Sequence, residues 1–217
     1  MAERAERSSP LERLEVAVLA TDGVEQVELE APLGAVQVAG ANVHIITPSG
    51  RALRTAHDDG PGETLEADRA VSETKAREFG ALVLPGGNAS VRALRTNTDA
   101  LRFIRDFAAM DKPIAAMGNA PALLVEAESV RGRTLTSSRA VADEIRDAGG
   151  NWIDEAVVVD QRLLTAQGAG DVRQFCSKLV DLLVQSIQDR TVDETSQESF
   201  PASDAPGWGP TSIGEPG

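Results

Sequence analysis

Three times in this chain a short aliphatic run ends in a glycine-containing turn. Val16-Ala-Val-Leu-Ala20 precedes Thr21-Asp-Gly23, Ala81-Leu-Val-Leu84 precedes Pro85-Gly-Gly87, and Ile114-Ala-Ala-Met117 precedes Gly118-Asn-Ala-Pro121. Runs this short, without polar alternation, are strands covered on both faces, which occur in parallel sheets flanked by helices. Helical spacing follows the first two turns: Val27, Ala31, Ala35 and Val38 up to Gly40, then Leu101, Ile104, Phe107 and Ala108. Strand, turn, helix and next strand (Val43-His-Ile-Ile46) make the parallel crossover unit.

The same alternation continues. A short helix over Ala122 to Ala127, a strand at Thr134 to Thr136 and a helix near Val141 to Ala148 are followed by strands at Val157 to Val159 and Leu163 to Thr165. Val172, Phe175, Cys176, Leu179, Val180, Leu183 and Ile187 form the apolar stripe of a last helix. The expected architecture is a three-layer α/β/α sandwich with a mostly parallel central sheet over residues 14–188. Residues 1–13 form a flexible extension, and 189–217 form an acidic tail rich in Pro, Gly and Ser, without packed structure. Trp208 is that tail's one sticky residue.

With 21 basic against 34 acidic residues the chain carries a net charge of −13, and no Lys/Arg cluster interrupts it, which argues against nucleic acid and anionic membranes as partners. Five Phe, two Trp and no Tyr leave Val, Leu, Ile and Ala to build the core. Cys176 is the single cysteine, so no intrachain disulfide forms. Met1 to Leu14 is charged throughout and no run approaches the 18 apolar residues of a membrane span, so a cytoplasmic location is expected. Phosphate-loop, HExxH, CxxC and GxSxG motifs are absent, and two distant histidines with one cysteine offer no metal cluster, so neither metal nor cofactor is expected. Asn88-Ala-Ser90 matches a glycosylation sequon that has no use without secretion.

Ligand sites of alternating α/β chains lie beyond the carboxyl ends of the strands, which selects the three glycine turns. The turn at Gly118 has the form of a nucleophile elbow, a strand-to-helix turn that lifts one side chain and aims backbone N–H groups at an oxyanion. From Val16 to about Leu183 the chain resembles the ThiJ/PfpI family of the class I glutamine amidotransferase-like superfamily. The resemblance rests on Ala20-Thr-Asp-Gly-Val-Glu-Gln-Val-Glu-Leu29, Leu82-Val-Leu-Pro-Gly-Gly87, Lys112-Pro-Ile-Ala-Ala116, Gly132-Arg-Thr-Leu-Thr136 and Ala148-Gly-Gly-Asn-Trp-Ile-Asp-Glu155. It implies a flavodoxin-like fold and association into homo-oligomers, most simply a two-fold dimer, through surfaces near the first helix and the elbow.

The family's elbow usually reads Ala-Ala-Ile-Cys-His-Gly-Pro; here it reads Ala115-Ala-Met-Gly-Asn-Ala-Pro121, with Gly118 for the nucleophilic Cys and Asn119 for the His. Glycine offers no nucleophile, and Asn does not exchange a proton near neutral pH. Glycine also enters the strained backbone of an elbow cheaply, relieving roughly 1–3 kcal/mol. Neither His44, in a buried strand, nor His57, in an acidic Gly-rich loop, replaces the lost base. Glu25 matches the family carboxylate that faces the thiol; it is either a pocket carboxylate or an ordinary first-turn acid favoured by the helix dipole. Glu28 and Glu30 are placed on a solvated or subunit-facing side. Gly86, Gly87 and Asn119 supply the oxyanion-pocket N–H groups that the resemblance implies, open to a water or small anion. The rim is rewritten at Ser137-Ser-Arg139 and Thr165-Ala-Gln167.

Two functions are compatible with these residues. One is a pseudoenzyme that binds a small molecule or takes part in stress-related association. The other is a cysteine-independent hydratase, glyoxalase or deglycase in which Glu25 activates water. Thiol-dependent hydrolase or peptidase action is opposed by Gly118, and a cryptic nucleophile at Ser137 or Ser138 stands as a further alternative.

Overall fold

The computed structural model describes residues 9–57 and 60–198, with side chains to residue 189. In chain order the strands are β1 (Glu15–Leu19), β2 (Val24–Glu25), β3 (Asn42–Thr47), β4 (Leu53–His57), β5 (Gly60–Leu65), β6 (Arg69–Ala70), β7 (Ala81–Leu84), β8 (Ile114–Met117), β9 (Thr134–Leu135), β10 (Asn151–Trp152), β11 (Val157–Asp160) and β12 (Leu163–Ala166). The helices are α1 (Gln26–Val38), α2 (Asn88–Leu94), α3 (Thr98–Ala109), α4 (Pro121–Glu126), α5 (Ala142–Asp147) and α6 (Val172–Glu198).

The aliphatic runs form the centre of a seven-stranded sheet in the order β11-β12-β8-β7-β1-β3-β6, parallel throughout except for β11 against β12. Successive residues of each run serve opposite faces. Ala17 and Leu19 join Leu82, Leu84, Ile114 and Ala116 in a core closed by Leu94, Phe103, Ile104, Phe107, Leu123 and Ile145. Val16 and Val18 join Val83, Ala115, Met117 and Leu164 in a second core closed by Leu29, Val36, Phe175, Leu179 and Leu183. Apart from Glu15 at the outer end of β1, the central strands β1, β7 and β8 lack polar positions because both faces are buried. This is the expected mostly parallel α/β/α sandwich.

Local signals place the ends of several elements. The Asn97 side chain accepts from the Ala100 N–H at 2.8 Å and caps α3. Pro121 opens α4, where a missing N–H costs nothing.

Several expectations are revised. His57, expected in an acidic Gly-rich loop, instead ends β4, which pairs antiparallel with β5 and also lies parallel to β2. Leu11, expected in a flexible extension, is fully buried, and its N–H donates to the Ala39 carbonyl at 3.0 Å, so the packed domain begins before residue 14. Helix α6 continues past residue 188 to Glu198, since Thr191 to Glu198 contains neither Gly nor Pro to stop it. The first residues, 1–8, and the rest of the tail, with Trp208, lie outside the described residues. No described helix is long and apolar enough to cross a membrane.

The α1 stripe is the revision with consequences for the site. Spacing puts Val27, Ala31, Ala35 and Val38 on the core face; instead Val27 and Val38 are exposed, and Gln26, Glu28, Leu29, Pro32 and Val36 are buried. Strand β2 pairs with β4 immediately before the helix begins at Gln26, and the helix turns the face of Glu28, Leu29, Pro32 and Val36 inward, one position out of phase with the expected stripe.

Candidate active site

The turns after β1, β7 and β8 meet at the carboxyl edge of the sheet. The Glu25 N–H donates to the Gly86 carbonyl at 3.0 Å, which ties the first turn to the second. Gly87 precedes α2 with φ 120°, and a Cβ there would fall 2.4 Å from the Gly23 carbonyl oxygen, so only glycine lets the two turns approach this closely. Gly118 has φ 62°, the left-handed conformation expected of the elbow. Its N–H donates to the Ala166 carbonyl at 3.0 Å and its carbonyl accepts from the Ser138 N–H at 2.7 Å, anchoring the elbow to both rim segments.

The carboxyl group against this elbow belongs to Glu28, not Glu25. Glu28 is 6% exposed, and its Oε2 accepts from the Gly86 N–H at 2.9 Å. A Cβ on Gly118 would lie 2.8 and 2.9 Å from the two Glu28 carboxyl oxygens. The acid therefore occupies the space into which a side chain at 118 would project. The assignment moves three residues along α1 for the reason given above: Glu28 lies on the buried face, while Glu25 ends β2 and precedes the helix. The signal available in the sequence was the spacing of Glu28 with Leu29, Pro32 and Val36, an inward stripe one position out of phase with the more apolar Val27, Ala31, Ala35 and Val38.

Burial pushes the Glu28 carboxyl up from 4.5 to about 7, and repulsion from Glu25 adds to the rise, while the Gly86 and Ala169 N–H groups oppose it. Glu28 thus changes protonation near neutral pH.

Asn119 fills the neighbouring position. Its Oδ1 accepts from the Gly87 N–H at 3.0 Å, and its Nδ2 donates to Asn88 Oδ1 at 3.1 Å. Of the three N–H groups expected to form an open oxyanion pocket, those of Gly86 and Gly87 are therefore bonded to the chain's own side chains. The small anion foreseen for that pocket is, in part, the chain's own Glu28.

The other candidates lie apart from a nucleophile's place or lack its machinery. Ser137 Oγ donates to the Ser138 carbonyl at 2.8 Å and accepts from Trp152 Nε1 at 3.0 Å, so its hydrogen-bonding capacity serves the fold. Ser138 Oγ is buried without a partner among the described residues, and hence without a base. His44 pairs with Glu15 at 2.6 Å at the opposite end of β1, and His57 closes β4 on the surface. Cys176 is half-buried on α6, and burial pushes its thiol up, away from the reactive thiolate. At the rim, Gln167 Nε2 donates to Asp154 Oδ1 at 2.7 Å, and Asp154 also pairs with Arg139. Among the described residues no group of three or more His, Cys, Asp or Glu side chains is placed to hold a metal ion.

A doubly covered, mostly parallel sheet with a left-handed elbow at its carboxyl edge and a carboxyl group beside it defines a flavodoxin-like α/β protein. Residues 14–182 match the DJ-1/PfpI family, and the chain belongs to that family. It is 32% identical over 170 residues to a deglycase of Thermococcus kodakarensis, covering 78% of this chain and 99% of that one. Protein/nucleic acid deglycase 2 of Escherichia coli is 34% identical over 169 residues, covering 77% of this chain and 96% of the relative. Among solved structures, a two-domain protein of Anabaena variabilis with DJ-1/ThiJ/PfpI-like and ferritin-like domains superposes with a TM-score of 0.74 at 30% identity, over 79% of this chain and 48% of that one.

Proposed function

We propose that this chain is a DJ-1/PfpI-family member that has given up thiol chemistry and keeps the elbow as a binding site organised around the Glu28 acid. One observation carries this reading: both Glu28 carboxyl oxygens lie within 2.9 Å of where a side chain at position 118 would begin. A covalent thiol intermediate needs a nucleophile at that point and free N–H donors beside it; Gly118 removes the first, and Glu28 and Asn119 engage the Gly86 and Gly87 donors.

A second reading has its own support. Several relatives are named deglycases, and a carboxyl group that titrates near 7 is matched to proton transfer at neutral pH. In that case Glu28, in the role foreseen for Glu25, takes the proton of a water that adds to the aldehyde carbon of an α-oxoaldehyde, or the carbon-bound proton of the resulting hydrate, and returns it to the neighbouring carbon to give a 2-hydroxy acid, without a covalent enzyme intermediate. Methylglyoxal consumption by wild type and Glu28→Gln separates the two. The binding-site reading expects no turnover above background in either protein. Turnover in wild type that is lost in Glu28→Gln establishes the thiol-free enzyme instead.

A further inference from the structure

Glu28 is held from two loops. Its Oε2 accepts from the Gly86 N–H at 2.9 Å, and its carboxyl group also accepts from the Ala169 N–H, the weaker of the two contacts. Ala169 begins the single helical turn Ala169–Asp171, which follows Gly168 and leads from β12 into α6. This turn closes on itself: the Asp171 N–H donates to the Gly168 carbonyl at 2.9 Å. Ala169 and Gly170 are exposed, and a Cβ on Gly170 would meet nothing within 4 Å. Among the described residues the contact with Glu28 is the turn's one hydrogen bond to another part of the fold apart from α6. A Cβ on Gly168 would lie 3.7 Å from Glu28 Oε1, so the chain entering the turn rests against the acid.

Both partners of Glu28 are donors, and among the described residues it has no acceptor. An ionised carboxylate answers two N–H groups, whereas a carboxylic acid carries a hydrogen that itself needs an acceptor. Protonation therefore sets an O–H against an N–H, and the contact that yields is the weaker one, to the turn that nothing else ties down. We propose that the turn Ala169–Asp171 is a proton-operated latch, closed on the ionised Glu28 carboxylate and released from the elbow when Glu28 is protonated. Burial and repulsion from Glu25, at the end of β2, bring the titration of Glu28 to about 7, so the latch works around neutral pH. Asp171 lies on the turn and Arg173 at the start of α6; at the rim Arg139 and Asp154 pair with each other, and Gly86, Gly118 and Asn119 carry no charge.

This inference rests on the elbow being a site organised around Glu28, and adds its regulation: the α6 side of the site opens in mild acid and closes above neutrality. Solvent-exchange NMR of the full chain tests it. Exchange of the Ala169 N–H, corrected for its intrinsic pH dependence, should be roughly 10-fold more protected at pH 8.5 than at pH 5.5, with the Gly86 N–H protected throughout. Glu28→Gln turns an NH2 toward Ala169 as the protonated acid turns its O–H, so Ala169 should exchange fast at every pH. Ala169→Pro removes the N–H at a position that suits proline, the first of a helical turn after an extended Gly168. The Glu28 carboxyl 13C midpoint should then rise, and the Gly170 amide should lose its pH response. Equal protection of Ala169 at both pH values, a pH dependence that survives Glu28→Gln, or an unmoved midpoint in Ala169→Pro overturns the latch. Each of these would leave the thiol-free reading of the elbow standing, which methylglyoxal turnover decides separately.

Discussion

Replacing Glu28 by Gln should remove the loss of stability that this group imposes as pH rises toward neutrality. In the unfolded chain the Glu28 carboxyl releases its proton near 4.5, and in the native site near 7. Below 4.5 both states hold the proton and the group makes stability no more or less pH-dependent. Between those values only the unfolded chain has released it, so the native state binds more protons and loses stability as pH rises. Above 7 the full penalty remains, about 3 kcal/mol by linkage. Gln keeps an acceptor for the Gly86 N–H but turns its NH2 toward the Ala169 N–H, at a pH-independent cost of about 1 kcal/mol. The variant should therefore be slightly less stable than wild type at pH 4.5 and more stable by about 2 kcal/mol at pH 8. Urea denaturation of both proteins at half-unit steps from pH 4.5 to 8.5 reads this directly. Parallel stability curves would show that Glu28 is already ionised in the native protein at low pH, and would refute the assignment of a buried acid.

Other perturbations probe the same site from different sides. Gly118→Cys places a Cβ against both Glu28 oxygens and puts a non-glycine residue at φ 62°, so it should lower the melting temperature by roughly 2–10 °C, and more at pH 8 than at pH 5. A new thiol alone is expected to create little turnover, whereas Gly118→Cys with Asn119→His restores both nucleophile and proton carrier; a fully active single variant would show that Asn119 is no obstacle. Glu25→Gln removes a repelling charge and should lower the Glu28 titration midpoint, read from the carboxyl 13C shift; a midpoint that stays put would mean burial acts alone. For assembly we propose a two-fold dimer using the outward side of α1, where Val27 and Val38 are exposed and a Cβ on Gly34 would meet nothing within 4 Å. Light scattering at micromolar concentration should give twice the chain mass, and Val38→Glu should reduce it; a strict monomer contradicts the proposal.

The sheet was legible because the runs at residues 16–19, Ala81–Leu84 and Ile114–Met117 have no polar positions to confuse them, and because each leads into a glycine turn that is also the site. The elbow was legible for the same reason: Gly118 and Asn119 stand at defined places between a buried strand and a proline-started helix. The phase of α1 was not. Val27 and Val38 are more hydrophobic than Gln26 and Glu28, and composition therefore favours the wrong face; the two-residue strand pairing Val24 and Glu25 with Thr55 and Ala56 decides where the helix begins. The hairpin from Leu53 to Leu65 was hidden too, since its alternation is interrupted at Gly60, Pro61 and Gly62 and its register shifts between Arg54 and Ala56. The role of Glu28 depended on both features. A glutamate beside Leu29 on a helix reads as a surface acid until tertiary structure turns it inward.

The proposed loss of thiol chemistry is tested most directly by methylglyoxal turnover before and after complete alkylation of Cys176, the chain's single thiol, repeated with Cys176→Ala. Alkylation of the wild type at pH 7 should be slower than that of a free thiol, because burial holds Cys176 protonated. The account predicts that neither alkylation nor the substitution changes whatever rate is measured. Turnover abolished by either one would contradict it, by showing that Cys176 supplies the nucleophile that Gly118 lacks.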